Sequence, residues 1–218
     1  RPTKGLSSIY GIMPLASTQD VAGPLARSFE DLAVVLDIVS GYDPKDPATA
    51  PMQTRPLPLF RSALRDASLT GLRIGKLLNY YDTAQAPVRE QLDAAFVSIA
   101  QAGALIVDVT IPNLSDLVAR SGVIGQEFEE DLNAYLTAFG SNTNLEAIVA
   151  TGLYDPAVAT VLERSAAGQQ DPVAYQAALA ARVELQAAIE AAMSAADVAV
   201  LAYPPIGALP VTIGESQP

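Results

Sequence analysis

Residues 71–110 read GLRIGKLLNYYDTAQAPVREQLDAAFVSIAQAGALIVDVT, and this stretch predicts the class of fold. The apolar run Leu72–Leu78 follows a glycine and has the length of a buried strand. Apolar residues then recur on one face of a helix predicted over Pro87–Gln101, and Ala104–Val109 reads as a second strand. A strand, a helix and a strand in this length form a βαβ unit, whose two strands pair in parallel. The stretch therefore predicts an α/β fold.

The chain after this unit is predicted to be mainly helical. One helix is expected near Gly125–Phe139 and another near Asn144–Thr151, with a break between them where glycine and asparagine cluster. A long alanine-rich helix spans roughly Val173–Ala195. Asp197–Tyr203 then reads as a further strand.

The chain before the unit begins with turns. Glycine and proline punctuate Pro2–Ala22, which excludes a long helix there. Ser28 is a good N-cap for a helix that ends near Gly41, and Asp31 stands three residues later, as in a capping box. Five prolines fall within Asp43–Pro58, so this segment is predicted to be an extended surface connection.

Composition limits the classes of function. Half of the 218 residues are hydrophobic and 17% are charged, which favours a packed globular protein. A net charge of -11 without a lysine or arginine cluster argues against nucleic acid as a partner. No apolar run approaches the ~20 residues that span a bilayer, so no membrane partner is expected. Cysteine is absent and does not assign a compartment, so cytoplasmic and secreted locations both stay open.

The chain lacks the usual residues of several catalytic and metal sites. Without histidine and cysteine, it cannot form a Ser-His-Asp or Cys-His arrangement, and its carboxylates alone do not predict a metal site. None of Lys4, Lys45 and Lys76 follows a serine at S-x-x-K spacing. All three lysines are expected to be solvated, with Lys76 reaching a sheet edge.

Residues 1–46 hold a series of short motifs at fixed spacing. They read [KR]-P-T-x-G, then S-x-x-D, then G-P-x-x-R-S-x-x-D, and finally G-x-D-P-x-D. The residues in these positions are Arg1–Gly5, Ser17, Asp20, Gly23, Pro24, Arg27, Ser28, Asp31 and Gly41–Asp46. The series resembles the segment of amidase signature enzymes that comes just after their catalytic serine.

This resemblance implies a fold and a mechanism. The family's fold is a large mixed sheet covered by helices, and residues 1–218 are expected to be the central part of a single amidase-type domain. In the family one serine attacks the amide carbonyl, a second serine relays the proton, and a lysine is the base, without metal or organic cofactor. The matching positions precede Arg1, and the domain's C-terminal portion is expected to follow residue 218. We therefore assign no catalytic residue here and predict that the chain alone is inactive.

The opening motifs supply support and binding candidates. Asp20 and Arg27 flank the Gly23-Pro24 turn and, with Asp31, are interpreted as structural support, although Asp20 and Arg27 could instead bind substrate. Ser17 is a candidate for substrate binding, because its loop closely follows the nucleophile in the family. The alternative for Ser17 is a plain turn hydroxyl.

A second resemblance lies in the helix predicted near residue 130. The stretch GQEFEEDLNAYL, residues 125–136, resembles the E-F-x-x-x-L-N-x-Y-L segment of the peptide-amidase-like branch, whose members act on C-terminal peptide amides and related amides. Glu127, Asp131 and Tyr135 share one helix face. This face either borders the substrate cleft, with Phe128 or Tyr135 against a substrate side chain, or forms a solvated acidic stripe.

The resemblance thus implies hydrolysis of a small-molecule or peptide amide through a serine acyl-enzyme. One alternative is an amidotransferase A-type subunit that releases ammonia for a partner, against which the E-F-x-x-x-L-N-x-Y-L segment argues. The other alternative is a segment that only packs or binds, without catalysis. A homo-oligomer, or association with the remainder of the protein, stays open.

Overall fold

The computed structural model describes residues 2–55, 57, 59–65, 67–168 and 170–215. The strands are β1 (Arg73–Leu77), β2 (Leu105–Val109) and β3 (Val200–Ala202), and a 3₁₀ helix covers Pro47–Gln53. The α-helices are α1 (Phe29–Val39), α2 (Phe60–Arg65), α3 (Leu78–Tyr81), α4 (Ala86–Gln101), α5 (Leu114–Arg120), α6 (Ile124–Ala138), α7 (Leu145–Thr151), α8 (Pro156–Ala166) and α9 (Pro172–Ala196). Along these described ranges, no helix combines the length and apolarity that crossing a membrane requires.

The chain divides into two compact units. The helical unit comprises Arg1–Ala67 and Gly122–Gln176, and the sheet unit comprises Ser68–Ser121 and Ala177–Pro218. Arg1, the first residue of the opening motif, lies outside the described residues.

The sheet unit contains the predicted βαβ arrangement. The strand order is β2-β1-β3, and β1 pairs in parallel with both neighbours. Gly75 in β1 pairs with Val107 and Leu201. A Cβ at Gly75 would lie 2.7 Å from the Leu201 Cδ2 and 2.9 Å from the Val109 Cγ2, so glycine is needed for these side chains to pack. The α/β class is confirmed, and the strands of the described residues form a parallel sheet.

The core of the sheet unit is built from a strand, a loop and a helix. Leu77, Ile111 and Leu114 are buried together. Leu185 and Ile189, one turn apart on α9, pack against them. Because side chains four residues apart share a helix face, the long helix presents a continuous apolar stripe to this cluster.

The helical unit has a separate core. Phe128 and Leu132 on α6 pack with Leu145 on α7. Partly buried residues of α7 and α8, including Val149 and Leu162, complete this cluster. Asn144 starts α7 by accepting a hydrogen bond from the Ala147 N–H, and Ser28 starts α1 in the same way from the Asp31 N–H. Both of these helix starts agree with the sequence pattern.

One predicted element is wrong. The structure coils Pro47–Gln53 into a 3₁₀ helix, where an extended surface connection was expected. Asp46 caps this helix through the Ala48 N–H, and Thr49 is fully buried. Pro47 stands in the first turn, where a proline's missing N–H has no partner to lose, and the short 3₁₀ helix also includes Pro51, so proline density here did not exclude a helical turn. Pro56 and Pro58 of the predicted connection lie outside the described residues.

The 3₁₀ helix packs against the opening motif. Gly5 has φ +82°, and an added Cβ would lie 2.1 Å from the Ala48 carbonyl oxygen. Only glycine allows both this backbone conformation and this approach. The last position of the [KR]-P-T-x-G motif is therefore fixed by contact with a segment more than forty residues later.

Candidate functional site

The turn at residues 15–20 is closed by its own aspartate. The Asp20 carboxylate accepts hydrogen bonds from the N–H groups of Leu15, at 2.8 Å, and Ala16, at 3.0 Å. The Lys4 ammonium donates to the Asp20 carbonyl oxygen at 2.9 Å. Ala16 is fully buried at the centre of the turn. These contacts hold the turn in one conformation, and the Asp20 carboxylate is used to bind backbone N–H groups of the turn.

Two carboxylates of α6 accept hydrogen bonds from backbone N–H groups of the same turn. The Asp131 Oδ2 accepts from the Ser17 N–H at 2.6 Å, and the Glu127 Oε2 accepts from the Thr18 N–H at 3.0 Å. The Thr18 hydroxyl donates to the Glu127 Oε1 at 2.5 Å. Residues 127 and 131 are one helical turn apart, so their side chains reach the turn side by side. The turn at residues 15–20 is thereby docked on the helix.

Glu127 is a buried carboxylate with three hydrogen bonds. Its exposed fraction is 6%, and the Tyr175 hydroxyl donates to its Oε1 at 3.0 Å, in addition to the two bonds from Thr18. A buried carboxylate requires such donors to offset the loss of hydration. The interpretation of this face as a solvated acidic stripe is therefore wrong for Glu127.

A cavity of about 330 Å³ adjoins these contacts. Its lining side chains are mostly polar and come from the turn, from α6 and from the start of α9. They are Ser17, Gln126, Glu127, Glu130, Asp131, Gln170, Pro172 and Tyr175. The charged groups among these described residues are all carboxylates. Such a lining accepts hydrogen bonds from N–H donors, including carboxamides and amines. We refer to it as the acidic cavity.

The predicted substrate-binding residues separate into two groups. Ser17 and Glu127 line the acidic cavity. Phe128 packs in the core of the helical unit. The Tyr135 ring lies 4.7 Å from the ring of Phe139, measured between centroids, and belongs to an aromatic cluster further along α6. The structure thus brings together Ser17 and Glu127 but not the two aromatic candidates.

The predicted support residues lie around the next turn. An added Cβ at Gly23 would lie 2.7 Å from the Pro2 Cδ, so the Gly-Pro turn sits directly on the start of the chain. Pro24 is half-buried there. The Asp31 N–H donates to the Ser28 hydroxyl at 3.1 Å. Arg27 is exposed and makes no ion pair with a carboxylate of the described residues.

Two residues that donate to Glu127 were not among the site residues predicted from the sequence. Thr18 supplies two of the donors to Glu127, and Tyr175 supplies the third. The sequence of α6 contains one indication that Glu127 needs such donors. Glu127 lies next to Phe128 and about one helical turn after Ile124, and both of these residues are apolar. A carboxylate at a position facing the core predicts hydrogen-bond donors from other segments, although not which segments supply them.

No lysine is among the described residues that line the acidic cavity. The Lys45 ammonium lies 4.6 Å from the centre of the Tyr10 ring. In the sheet unit, Lys76 belongs to the central strand, and its ammonium lies 3.3 Å from the centre of the Tyr81 ring and 3.6 Å from an Asp93 oxygen. Its side chain is only 17% exposed, so the prediction of a solvated Lys76 at a sheet edge is wrong. Within the described ranges, no group of histidine, cysteine and acidic residues could hold a metal ion.

Comparison with known proteins assigns the family. The Amidase family model matches residues 1–218. The crystal structure of the native peptide amidase from Stenotrophomonas maltophilia superposes with a TM-score of 0.76 and 31% identity, over 95% of this chain and 45% of that chain. The A-type subunit of glutamyl-tRNA(Gln) amidotransferase from Pseudomonas entomophila is 35% identical over 125 residues, which are 57% of this chain and 25% of that protein. The chain belongs to the amidase family, and its fold is that of amidase signature proteins.

A further solved structure supports the fold alone. The A-type subunit of glutamyl-tRNA(Gln) amidotransferase from Thermotoga maritima has a TM-score of 0.69 at 21% identity, over 100% of this chain and 44% of that chain. The chain thus spans about a quarter of the length of the curated relatives and under half of the solved chains.

Proposed function

We propose that the protein containing this chain hydrolyses a carboxylic amide, and that C-terminal peptide amides are its substrate class. The observation that supports this most directly is the match to the peptide amidase of Stenotrophomonas maltophilia, at 31% identity over 95% of this chain. The E-F-x-x-x-L-N-x-Y-L segment at residues 127–136 adds to that support. The reaction proceeds through a serine acyl-enzyme, as the resemblance to amidase signature enzymes implies.

The role proposed for this chain is to form one wall of the substrate site. The turn at residues 15–20 carries Ser17, and Glu127 and Asp131 hold its backbone in place. Oxygen atoms of the acidic cavity are acceptors suited to the N–H groups of an amide substrate. The attacking serine, the relay serine and the lysine come from the segment that the resemblance places before Arg1.

A second candidate function is that of an amidotransferase A-type subunit, which releases ammonia for a partner. It is supported by the 35% to 39% identity to the A-type subunits of glutamyl-tRNA(Gln) amidotransferases, over 57% of this chain in both cases. A non-catalytic segment that only packs or binds is the third candidate, because we assign no nucleophile and base among residues 1–218.

The test uses the protein encoded by the complete reading frame that contains this chain. Ammonia release is measured with a peptide that carries a C-terminal amide and with glutamine, each with and without amidotransferase partner subunits. We expect release from the peptide amide without partners. Release from glutamine that depends on the partner subunits would establish the second candidate, and inactivity on both substrates would establish the third.

The contribution of Ser17 is tested in the same protein. Ser17→Ala is expected to raise KM for the peptide amide several-fold with a smaller change in kcat, because it removes a binding contact and not a reacting group. Ser62→Ala on α2 is the control, since Ser62 is exposed and does not line the acidic cavity. An equal effect of both substitutions would remove Ser17 from the substrate site.

A further inference from the structure

A groove in the helical unit opens at the first described residue of the chain. Its volume is about 460 Å³. Its walls come from the start of the chain, from the turn at residues 15–20 and from the Gly-Pro turn that follows. The lining residues are Pro2, Leu15, Gln19, Asp20, Val21, Gly23, Pro24 and Leu25. We refer to it as the entry groove.

The apolar side chains of the entry groove are poorly covered. Leu25 is 100% exposed and Leu15 is 44% exposed, although both line the same groove. Val21 and Pro24, also in the lining, are only half-buried. Because apolar surface gains free energy when it leaves water, this lining favours an apolar partner.

The charges at the entry groove do not favour an ionic ligand. Asp20 is the one charged residue among its described lining residues. The Asp20 carboxylate already accepts hydrogen bonds from the Leu15 and Ala16 N–H groups. A cation would have to compete with these two donors, and an anion would find a carboxylate and no lysine or arginine in the described lining.

The position of the entry groove along the chain indicates what fills it. Pro2 is part of the lining, and an added Cβ at Gly23 would lie 2.7 Å from the Pro2 Cδ, so the start of the chain is fixed against the groove wall. Residues joined to this start are held next to the groove at a high effective concentration.

The length of the relatives supports the presence of such residues. This chain spans 45% of the peptide amidase from Stenotrophomonas maltophilia, and the opening motifs resemble a segment that follows the catalytic serine of the family. A second copy of the chain is less suited to the groove, because each copy carries a net charge of -11 and the two would repel each other.

We propose that the entry groove holds the segment of the same polypeptide that directly precedes Arg1. Apolar side chains of that segment pack against Leu15, Val21 and Leu25. The proposal rests on the family resemblance for the presence of the segment. It does not depend on amide hydrolysis, and its test measures packing and not ammonia release.

Cysteine labelling in the product of the complete reading frame tests this packing. Residues 1–218 contain no cysteine, so the thiol of Leu25→Cys reports on one position, and peptide mass spectrometry separates it from cysteines elsewhere. We expect iodoacetamide to modify this thiol about tenfold more slowly in the folded protein than in urea, because covering a thiol prevents its reaction. Leu153→Cys is the control, since Leu153 is 88% exposed and outside the groove, and its two rates should be similar.

A photochemical cross-link identifies the occupant. p-Benzoylphenylalanine is introduced at Leu25 in the same protein, and mass spectrometry maps the peptide that it captures on irradiation. We expect this peptide to precede Arg1.

Three results would overturn the proposal. The first is a Leu25→Cys thiol that reacts as fast in the folded protein as in urea. The second is a cross-link that joins two molecules or that misses the segment before Arg1. The third is a reading frame without residues before Arg1. If melting curves show that Leu25→Cys does not fold, Leu15→Cys replaces it with the same expected protection.

Discussion

At the scale of single residues, the buried carboxylate of Glu127 holds separate segments of the helical unit together. Its carboxylate is buried and accepts hydrogen bonds from Thr18 and Tyr175. A carboxylate can accept all of these at once because each oxygen has two acceptor sites. The residue therefore connects the turn at residues 15–20 to α6 and to the first turn of α9.

The substitution Glu127→Gln tests this connection. The new amide presents N–H groups where acceptors are required, so we expect the free energy of unfolding to fall by about 1 to 3 kcal/mol. Urea denaturation measures the change. Glu130→Gln on the same helix is the control, because Glu130 is exposed and should change stability by less than about 0.5 kcal/mol. Equal stability of the two variants would contradict the role of Glu127.

Asp43 makes the stability of the opening segment dependent on pH. The Lys45 N–H and then the Ser8 hydroxyl donate to its carboxylate, and they hold the pKa of Asp43 below its ordinary value of 3.8. A pKa lowered by folding contributes stability that is fully present above the ordinary value. That stability is lost as the pH falls through the lowered pKa of the folded state.

We therefore expect Ser8→Ala to destabilise the protein more at about pH 6 than at about pH 3, because the carboxylate that Ser8 stabilises is protonated in acid. Urea denaturation at both pH values gives the comparison. Ser62 has no carboxylate partner among the described residues. Ser62→Ala should therefore change the free energy of unfolding by the same amount at both pH values. A Ser8→Ala effect independent of pH would count against the role of Asp43.

At the scale of elements, α6 explains the spacing of the E-F-x-x-x-L-N-x-Y-L segment. Glu127 binds the turn at residues 15–20, while Phe128 and Leu132 form the core with α7. Asn133 accepts from the Leu145 N–H at 2.8 Å and so fixes the start of α7. Tyr135 packs on Phe139. These motif positions thus have structural tasks on more than one side of the helix.

The core between α6 and α7 is tested with a pair of leucines. Leu145 is fully buried, and Leu145→Ala is expected to lower the free energy of unfolding by about 2 to 5 kcal/mol through lost burial and a residual cavity. Leu153 is 88% exposed, so Leu153→Ala should have an effect within about 0.5 kcal/mol. Chemical denaturation of both variants measures the difference. A small effect at Leu145 would mean that α7 contributes little to the core.

At the scale of the whole molecule, the 218-residue chain is predicted to be catalytically inactive on its own. None of its serines and lysines is assigned to the Ser-Ser-Lys mechanism that the family resemblance implies. The measurement is ammonia release from a peptide amide by the purified chain, compared with the product of the complete reading frame. Turnover by the chain alone would show that its own residues supply the nucleophile and base.

The same chain is expected to bind a hydrophobic dye. Helix α1 exposes Phe29 and Ile38, each 76% accessible, and Leu25 just before it is fully exposed. Exposed apolar side chains of this size provide surface that such a dye can bind. The double substitution Phe29→Ser and Ile38→Ser should lower dye fluorescence, whereas Val173→Ser, at another exposed site, should lower it less. An absence of dye binding by the unmodified chain would contradict this prediction.

The sequence by itself determined the elements whose causes are local. Helix starts at Ser28 and Asn144 depend on side chains within three residues, and the βαβ unit depends on runs of apolar residues and their period. The family resemblance depended on motif spacing in the same way. These features could be predicted because all the residues that cause them are neighbours in the chain.

Only the tertiary structure decided the features that join distant segments. Asp131 and Glu127 bind a turn more than one hundred residues earlier, and Gly5 is required by the Ala48 carbonyl. Sequence pattern indicates that a buried glutamate needs donors, but the donors are chosen by how the segments pack. The physical reason is that a hydrogen bond depends on distance in space, which the order of residues does not specify.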